Sequence, residues 1–289
     1  MPNLTDPAVV KELLQRHGFH FSKKLGQNFI INPTVCPRMA EEGGAAPGVG
    51  VLEIGPGFGV LTAELARRAE KVVAIELDDR LPPILRETLA EFNNVTVVQG
   101  DAMEIDFSEL IEREFSGLEV VICANLPYYI TSPLLMRLLE LHLPVKAITV
   151  MVQREAADRI TAMPGSRECG AISAAVWYYS EPKRLFGVSR GSFLPAPEVD
   201  SAVMRLDLRL QPPFPLPNET DYFSVVRAAF GQRRKTILNA LSSGLGLSKD
   251  QTRTLLAEAD IAENARAEQL TLEQLGMLSA AYTRHKASH

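Results

Sequence analysis

The sequence predicts an α/β protein, with a mostly parallel sheet wrapped by helices on both faces and a small all-helical domain after it. Short β-branched runs (Val49–Ile54, Val72–Ile75, Val95–Val98, Leu118–Ala124, Val145–Val152) alternate with segments of helical spacing. Continuous apolar runs of that length are what strands buried on both faces look like. The first run ends in a glycine-rich turn that opens a helix. Beyond the proline-dense stretch Gln211–Pro217, only helical periodicity continues.

In chain order, Asp6-Pro7 reads as a helix cap followed by proline at the first helical position, starting a helix to about His17. The polar stretch Phe21–Asn32 follows. Helices are expected over Val60–Ala69, over Leu81–Phe92 behind Asp78-Asp79, and from Thr131-Ser132-Pro133 through His142. Lys183–Val188 and Ser201–Leu208 alternate as antiparallel strands at a sheet edge would. The prolines of 211–217 can continue neither strand nor helix and read as a linker. Residues 1–212 are thus expected to form one domain and residues 218–289 a helical one.

With 289 residues, 46% apolar and 22% charged, the composition excludes a disordered or fibrous chain. A formal net charge of −5 excludes a polybasic coat protein, although a local basic surface is compatible with it. Residues 213–289 carry nine Lys and Arg against eight Asp and Glu, including the run Arg233-Arg234-Lys235, which makes this region the better candidate for phosphate contact. Lys23-Lys24 is a second candidate. The three cysteines (Cys36, Cys123, Cys169) are dispersed, and the five histidines show no ligand spacing, so neither a disulfide scaffold nor a metal site is expected. The N-terminus lacks a signal-peptide core, and no run approaches the roughly 18 apolar residues of a membrane span, which implies a cytoplasmic protein. Trp177-Tyr178-Tyr179 reads as helix packing, and Cys123 as an inert core thiol.

The turn Glu53-Ile54-Gly55-Pro56-Gly57-Phe58-Gly59 lets backbone pass close to a ligand. It lacks the third glycine of a dinucleotide fingerprint, since Val60 stands there, and Pro56 removes an N–H that a diphosphate would use. A nucleoside cofactor without a diphosphate fits better. Glu76 ends the second strand 19 residues after Gly57, where an acid accepts from ribose hydroxyls. Asp101, in Gly100-Asp101-Ala102 after the third strand, is placed to accept from an adenine amino group. This pattern resembles the S-adenosylmethionine pocket of class I methyltransferases. The fourth strand ends in Asn125-Leu126-Pro127-Tyr128, a pattern that among those enzymes marks methylation of an amino group conjugated to a ring. Such a nitrogen is a poor nucleophile. The Asn125 side-chain oxygen and the Leu126 carbonyl can accept its hydrogens and aim its lone pair, Pro127 stiffens the turn, and Tyr128 offers a stacking face.

Together with these motifs, Phe21–Phe29, Met151–Glu155, Phe193–Ser201, Ala229–Lys235 and Arg266–Leu270 resemble the ribosomal RNA adenine N6-dimethyltransferases, most of all their bacterial small-subunit branch. The resemblance implies a Rossmann-like fold with a seven-stranded sheet and a C-terminal domain that assists RNA binding. It implies S-adenosylmethionine as methyl donor, S-adenosylhomocysteine as product, and no metal. Gln27, Asn28 and Ile30 would close over the methionine part of the cofactor and Gly55 would lie beneath it, with Gly57 and Ala102 lining the same pocket. Phe193 would sandwich the flipped base opposite Tyr128. The implied substrate is 16S ribosomal RNA in an immature small subunit, where two adjacent adenosines near the 3′ end are dimethylated by a monomeric enzyme. Alternatives are the large-subunit branch of antibiotic resistance and a non-catalytic RNA-binding assembly or transcription factor; a dehydrogenase is disfavoured by Val60.

Overall fold

A computed structural model describes residues 3–22, 25–232 and 234–288. The elements run α1 (Pro7–Arg16), β1 (Phe29–Ile30), α2 (Val35–Glu42), β2 (Val49–Ile54), α3 (Val60–Ala66), β3 (Lys71–Glu76), α4 (Pro82–Thr88), β4 (Val95–Gln99), α5 (Phe107–Glu114), β5 (Glu119–Asn125), α6 (Thr131–Glu140) and β6 (Ala147–Gln153). Then come α7 (Arg154–Thr161), α8 (Ala171–Tyr179), β7 (Ser180–Val188), β8 (Phe193–Leu194), β9 (Ser201–Leu208), α9 (Glu219–Phe230), α10 (Ile237–Leu245), α11 (Lys249–Glu258) and α12 (Leu272–Ala287).

The large sheet has seven strands in the order β4-β3-β2-β5-β6-β9-β7. Strands β4 through β6 are mutually parallel and β9 runs antiparallel to β6. This is the Rossmann-like architecture expected. Strand order reverses at β2, whose neighbours are β3 and β5. Ligands of open α/β sheets bind at such a switch point, off the carboxyl ends of the strands. The ends of β2, β3, β4 and β5 carry the glycine turn, Glu76, Gly100-Asp101 and Asn125 respectively.

Local sequence explains the elements nearest that edge. Asp6 caps α1, its carboxylate accepting from the Ala8 N–H at 2.8 Å, with Pro7 in the first turn. Two short strands not foreseen from the sequence, β1 and β8, pair antiparallel, with Ile30 opposite Phe193. At two residues each they carry no period-2 signal. They tie the polar stretch 25–32 to the body of the sheet domain.

Two compact units are present. The first comprises residues up to Ala157 together with Lys183–Leu208. The second comprises Asp158–Pro182 and the chain from Arg209 onward, so it is discontinuous, whereas the sequence reading places a single cut at 212–218. The reason is aromatic packing. Tyr178 of α8 lies 5.0 Å from the Tyr222 ring and 5.6 Å from Phe214, and the Tyr222 hydroxyl donates to the Ala174 carbonyl at 3.3 Å. The proline-dense stretch is likewise not a free linker. Phe214 covers Gly276 of α12 so closely that a Cβ there would come within 2.5 Å of the ring. Tyr178 is buried and Trp177 donates to the Thr161 carbonyl, so this trio packs the interior. All three cysteines are buried and outside any disulfide, and among the described residues no helix is long and apolar enough to cross a membrane.

Helices α9 and α10 approach closely at Gly244, where a Cβ would lie 2.6 Å from the Ala228 Cβ. Gly244→Ala therefore pushes the two helices apart and should cost about 1–3 kcal/mol, seen as a lower urea midpoint with an unchanged slope. An unchanged midpoint would refute the tight crossing.

Candidate active site

A cavity opens at the switch point. It is lined by Gln27, Asn28, Ile30, Gly55, Gly57, Glu76, Asp101, Ala102, Asn125, Leu126, Pro127 and Tyr128, so these twelve sequence-predicted residues come together.

Its floor is the glycine turn. Gly55, Gly57 and Gly59 have φ of 74°, 58° and 87°, the left-handed region that side chains avoid. At Gly57 there is also no room, because a Cβ would meet the Phe29 ring at 2.8 Å. Phe29 is stacked on Phe58 with centroids 3.9 Å apart, within a cluster that includes Phe19 and Phe21. The segment bearing Gln27, Asn28 and Ile30 is thereby anchored on the turn itself.

Glu76 joins two strand ends. Its Oε1 accepts from the Asp78 N–H at 2.8 Å and its Oε2 from the Gly57 N–H at 3.3 Å. Each oxygen retains a lone pair for a ligand hydroxyl. Burial pushes its pKa up to about 7, against the pull of those backbone donors. Asp78 behaves oppositely: the Arg80 guanidinium grips both its oxygens, at 2.8 and 2.5 Å, and holds its pKa below the ordinary value despite burial. The Gln27 amide donates to Asp78 Oδ2 at 2.7 Å, which fixes the closing segment to the end of β3. Asp101 accepts from the Met103 N–H at 2.7 Å through Oδ1, which orients the carboxylate while Oδ2 keeps accepting capacity.

The fourth wall is the turn after β5. The Asn125 Nδ2 donates to the Asn28 carbonyl at 3.2 Å. A carbonyl can only accept, so the NH₂ must face Asn28, which leaves the Asn125 Oδ1 as an acceptor for a ligand. The Leu126 N–H donates to the Met151 carbonyl at 3.2 Å, and the Pro127 carbonyl accepts from the Ile130 N–H at 3.2 Å, pinning the turn from both sides. The half-buried Tyr128 ring is held by its hydroxyl, 2.9 Å from that of Ser201.

Phe193 is 3% exposed, shares a core cluster with Ile30, Val35, Met39 and Val203, and is not among the residues lining the cavity. It pairs opposite Ile30 in the β1–β8 ladder. Arg234 and Lys235 are exposed on the connection between α9 and α10 in the second unit, without an ion pair among the described residues. Lys23, Lys24 and Arg233 lie outside the described residues.

Leu77 and Glu53 are among the lining residues with no role assigned from sequence. Leu77, 46% exposed between two acids, offers the cavity an apolar face; the signal was a leucine directly after a strand-ending acid. Glu53 is 1% exposed and its Oε2 has no hydrogen-bond partner among the described residues. Burial, and then the nearby Glu76 carboxylate, push its pKa up to about 8. Its signal was an acid inside the apolar strand Val49–Ile54.

These residues fit S-adenosylmethionine. The cavity presents a carboxylate for a ribose diol, another for an adenine amine, a glycine floor without a phosphate cradle, and an orphaned buried acid oxygen suited to a cationic ligand. The arrangement can bind a nucleoside sulfonium and offer an oriented acceptor to a second planar molecule bearing an amino group.

The chain matches the family described as Ribosomal RNA adenine dimethylase over residues 18–283. It is 45% identical over 280 residues to the Ribosomal RNA small subunit methyltransferase A of Alkaliphilus oremlandii (strain OhILAs), covering 96% of this chain and 98% of that protein. The crystal structure of the 23S rRNA methyltransferase ErmE is similar with a TM-score of 0.68 and 28% identity, covering 88% of this chain and 99% of that one. A dimethyladenosine transferase from Plasmodium falciparum shares the fold with a TM-score of 0.73 at 24% identity, covering 89% and 98%.

The raised acids make a signed prediction. A folded-state pKa above 4.5 means that the native chain holds a proton the unfolded chain has lost, so stability present below pH 4.5 is lost as pH rises through about 7 for Glu76 and about 8 for Glu53. Glu53→Gln removes one of these protons, so its stability relative to the parent should climb across that window, by up to about 1.4 kcal/mol per pH unit. Denaturant titrations of both proteins at several pH values test this; a difference independent of pH would refute the assignment.

Proposed function

The chain belongs to the ribosomal RNA adenine dimethylase family, and from that premise we propose that it transfers methyl groups to the N6 atoms of two adjacent adenosines near the 3′ end of 16S ribosomal RNA, on an assembling small subunit. The 45% identity to a small-subunit enzyme across nearly the whole chain, against 28% to a large-subunit one, supports the small-subunit branch. The observation that carries the chemistry is the orientation of the Asn125 amide, with its nitrogen on the Asn28 carbonyl and its oxygen left for the substrate amine.

When bound, S-adenosylmethionine supplies a methyl group on a positively charged sulfur, an electrophile toward nitrogen. Glu76 would hold the ribose hydroxyls and Asp101 the adenine amine of that cofactor, while Gln27, Asn28 and Ile30 close the methionine end, Gly55 leaves it space and the Gly57 N–H orients Glu76. The adenosine to be modified would leave its stack, at a cost of a few kcal/mol, and lie on Tyr128. Asn125 Oδ1 and the Leu126 carbonyl each accept one hydrogen of the exocyclic amine. Both hydrogens are then turned away from the cofactor, and the nitrogen lone pair points toward it. Alignment of this kind is worth up to about 7–11 kcal/mol. No side chain needs to remove a proton before transfer, because the methylated ammonium is acidic enough to lose one to water. The exposed Arg234 and Lys235, with Lys23, Lys24 and Arg233, would contact phosphates, and binding energy gained there offsets the cost of extracting the base.

Labelled S-adenosylmethionine with undermethylated small and large ribosomal subunits tests this reading. Label should map to adjacent adenosines near the small-subunit RNA 3′ end; label in the large subunit alone, or none, overturns it. Asn125→Ala should keep cofactor affinity and lose roughly 10²–10³-fold in kcat, the scale for one preorganised hydrogen-bonding group. Asn125→Asp should be impaired as well, because a carboxylate oxygen would face the Asn28 carbonyl. Full turnover in either variant would refute the role.

A further inference from the structure

Tyr128 and Tyr129 are consecutive residues of the 3-10 turn Tyr128–Ile130. Successive side chains there fan out by about 120°, so the two rings take different directions. Tyr128 turns inward and is anchored on Ser201. Tyr129 lies at the rim of the same cavity, 56% exposed. One edge of its ring rests on Gly26, where an ideal Cβ would be 3.5 Å from Cδ1 and from Cε1. Gly26 itself has φ of 60°. The remainder of the ring is open, and its hydroxyl makes no hydrogen bond among the described residues.

A tyrosine whose only task was to clasp the closing segment would bury its ring, as Phe29 of that segment does at 7% exposure. An aromatic face left open to water at the mouth of a cavity that takes an extruded base has a better use. Extracting one base from a strand breaks its stacking with its neighbours and leaves a neighbour's face bare. Aromatic side chains recover that loss, and do so for any base because every base has a π-face.

We propose that Tyr129 is the stacking platform for the nucleobase adjoining the target adenosine, steadying the RNA strand at the cavity mouth while the target base lies inside on Tyr128. The proposal rests on reading the cavity as an adenine N6 methylation site. It makes Tyr129 a substrate-positioning residue whose effect falls on RNA engagement rather than on cofactor binding. A phenylalanine keeps the face and should serve as well, whereas a small side chain removes it.

The test compares Tyr129→Ala and Tyr129→Phe with the parent enzyme, using undermethylated small subunits as methyl acceptor and S-adenosylhomocysteine binding by calorimetry. Tyr129→Ala should raise KM for the subunit about tenfold, within the range for one lost base–aromatic stack. Its kcat at saturating subunit and its affinity for S-adenosylhomocysteine should match the parent, and Tyr129→Phe should behave as the parent throughout. An unchanged KM in Tyr129→Ala overturns the proposal, as does S-adenosylhomocysteine binding weakened by the same factor, which would make the ring a clasp for residues 25–30. If the parent itself transfers no methyl to subunits, the functional reading falls and this inference with it. An active parent with an indifferent Tyr129→Ala overturns this inference alone.

Discussion

The site depends on the absence of a side chain at Gly57. Three pieces of chain distant in sequence meet there: the turn after β2, the Phe29 ring from the closing segment, and the Glu76 carboxylate at the end of β3. The Phe29 ring occupies the space a Cβ would need, and the Gly57 N–H, freed by the left-handed turn, orients Glu76. One backbone position thereby sets both the segment bearing Gln27 and Asn28 and the Glu76 carboxylate. Neither is held by its own element alone, since β1 is two residues long and Glu76 is the last residue of β3.

Around that point the protein gathers acids that it then keeps from repelling one another by different means. Asp78 is neutralised by Arg80 and given a structural task, holding Gln27. Glu76 is held by backbone donors, and Glu53 is buried with one oxygen unpartnered. Burying acids with raised pKa values costs stability, and such conflicts between local chemistry and folding cluster at functional sites. A cationic ligand relieves the conflict and an anionic phosphate would aggravate it. The pocket's charge and its missing phosphate cradle therefore select the same class of nucleoside.

Most of this was legible in the sequence because it lies on regular elements. The five parallel strands were readable as apolar runs, and the residues at their carboxyl ends inherit their place from the topology. The parts that escaped are set by contacts distant in sequence. The β1–β8 pair is too short for periodicity. Asp158–Pro182 joins the C-terminal helices because Tyr178 meets Tyr222 and Phe214, a fact of tertiary packing invisible along the chain. Phe193 was identified by its motif, and a motif does not show that the ring is buried in a cluster with Ile30 and Val203. Glu53 was quoted as part of a glycine turn, and only its burial singles it out.

The choice of an amide at position 125 follows from the same economy of charge. The Asn28 carbonyl faces this side chain, and a carbonyl requires a donor. An amide meets that requirement with its nitrogen and still keeps an oxygen free to accept from a ligand. A carboxylate would set acceptor against acceptor and add a charge to a cavity already lined by Glu53 and Glu76, whose pKa values are raised by burial. A protonated acid could meet the carbonyl as the amide does, but holding that proton near neutral pH costs free energy that the amide does not. The neutral amide is thus the side chain that satisfies the Asn28 carbonyl on one side and keeps an acceptor on the other without a further charge.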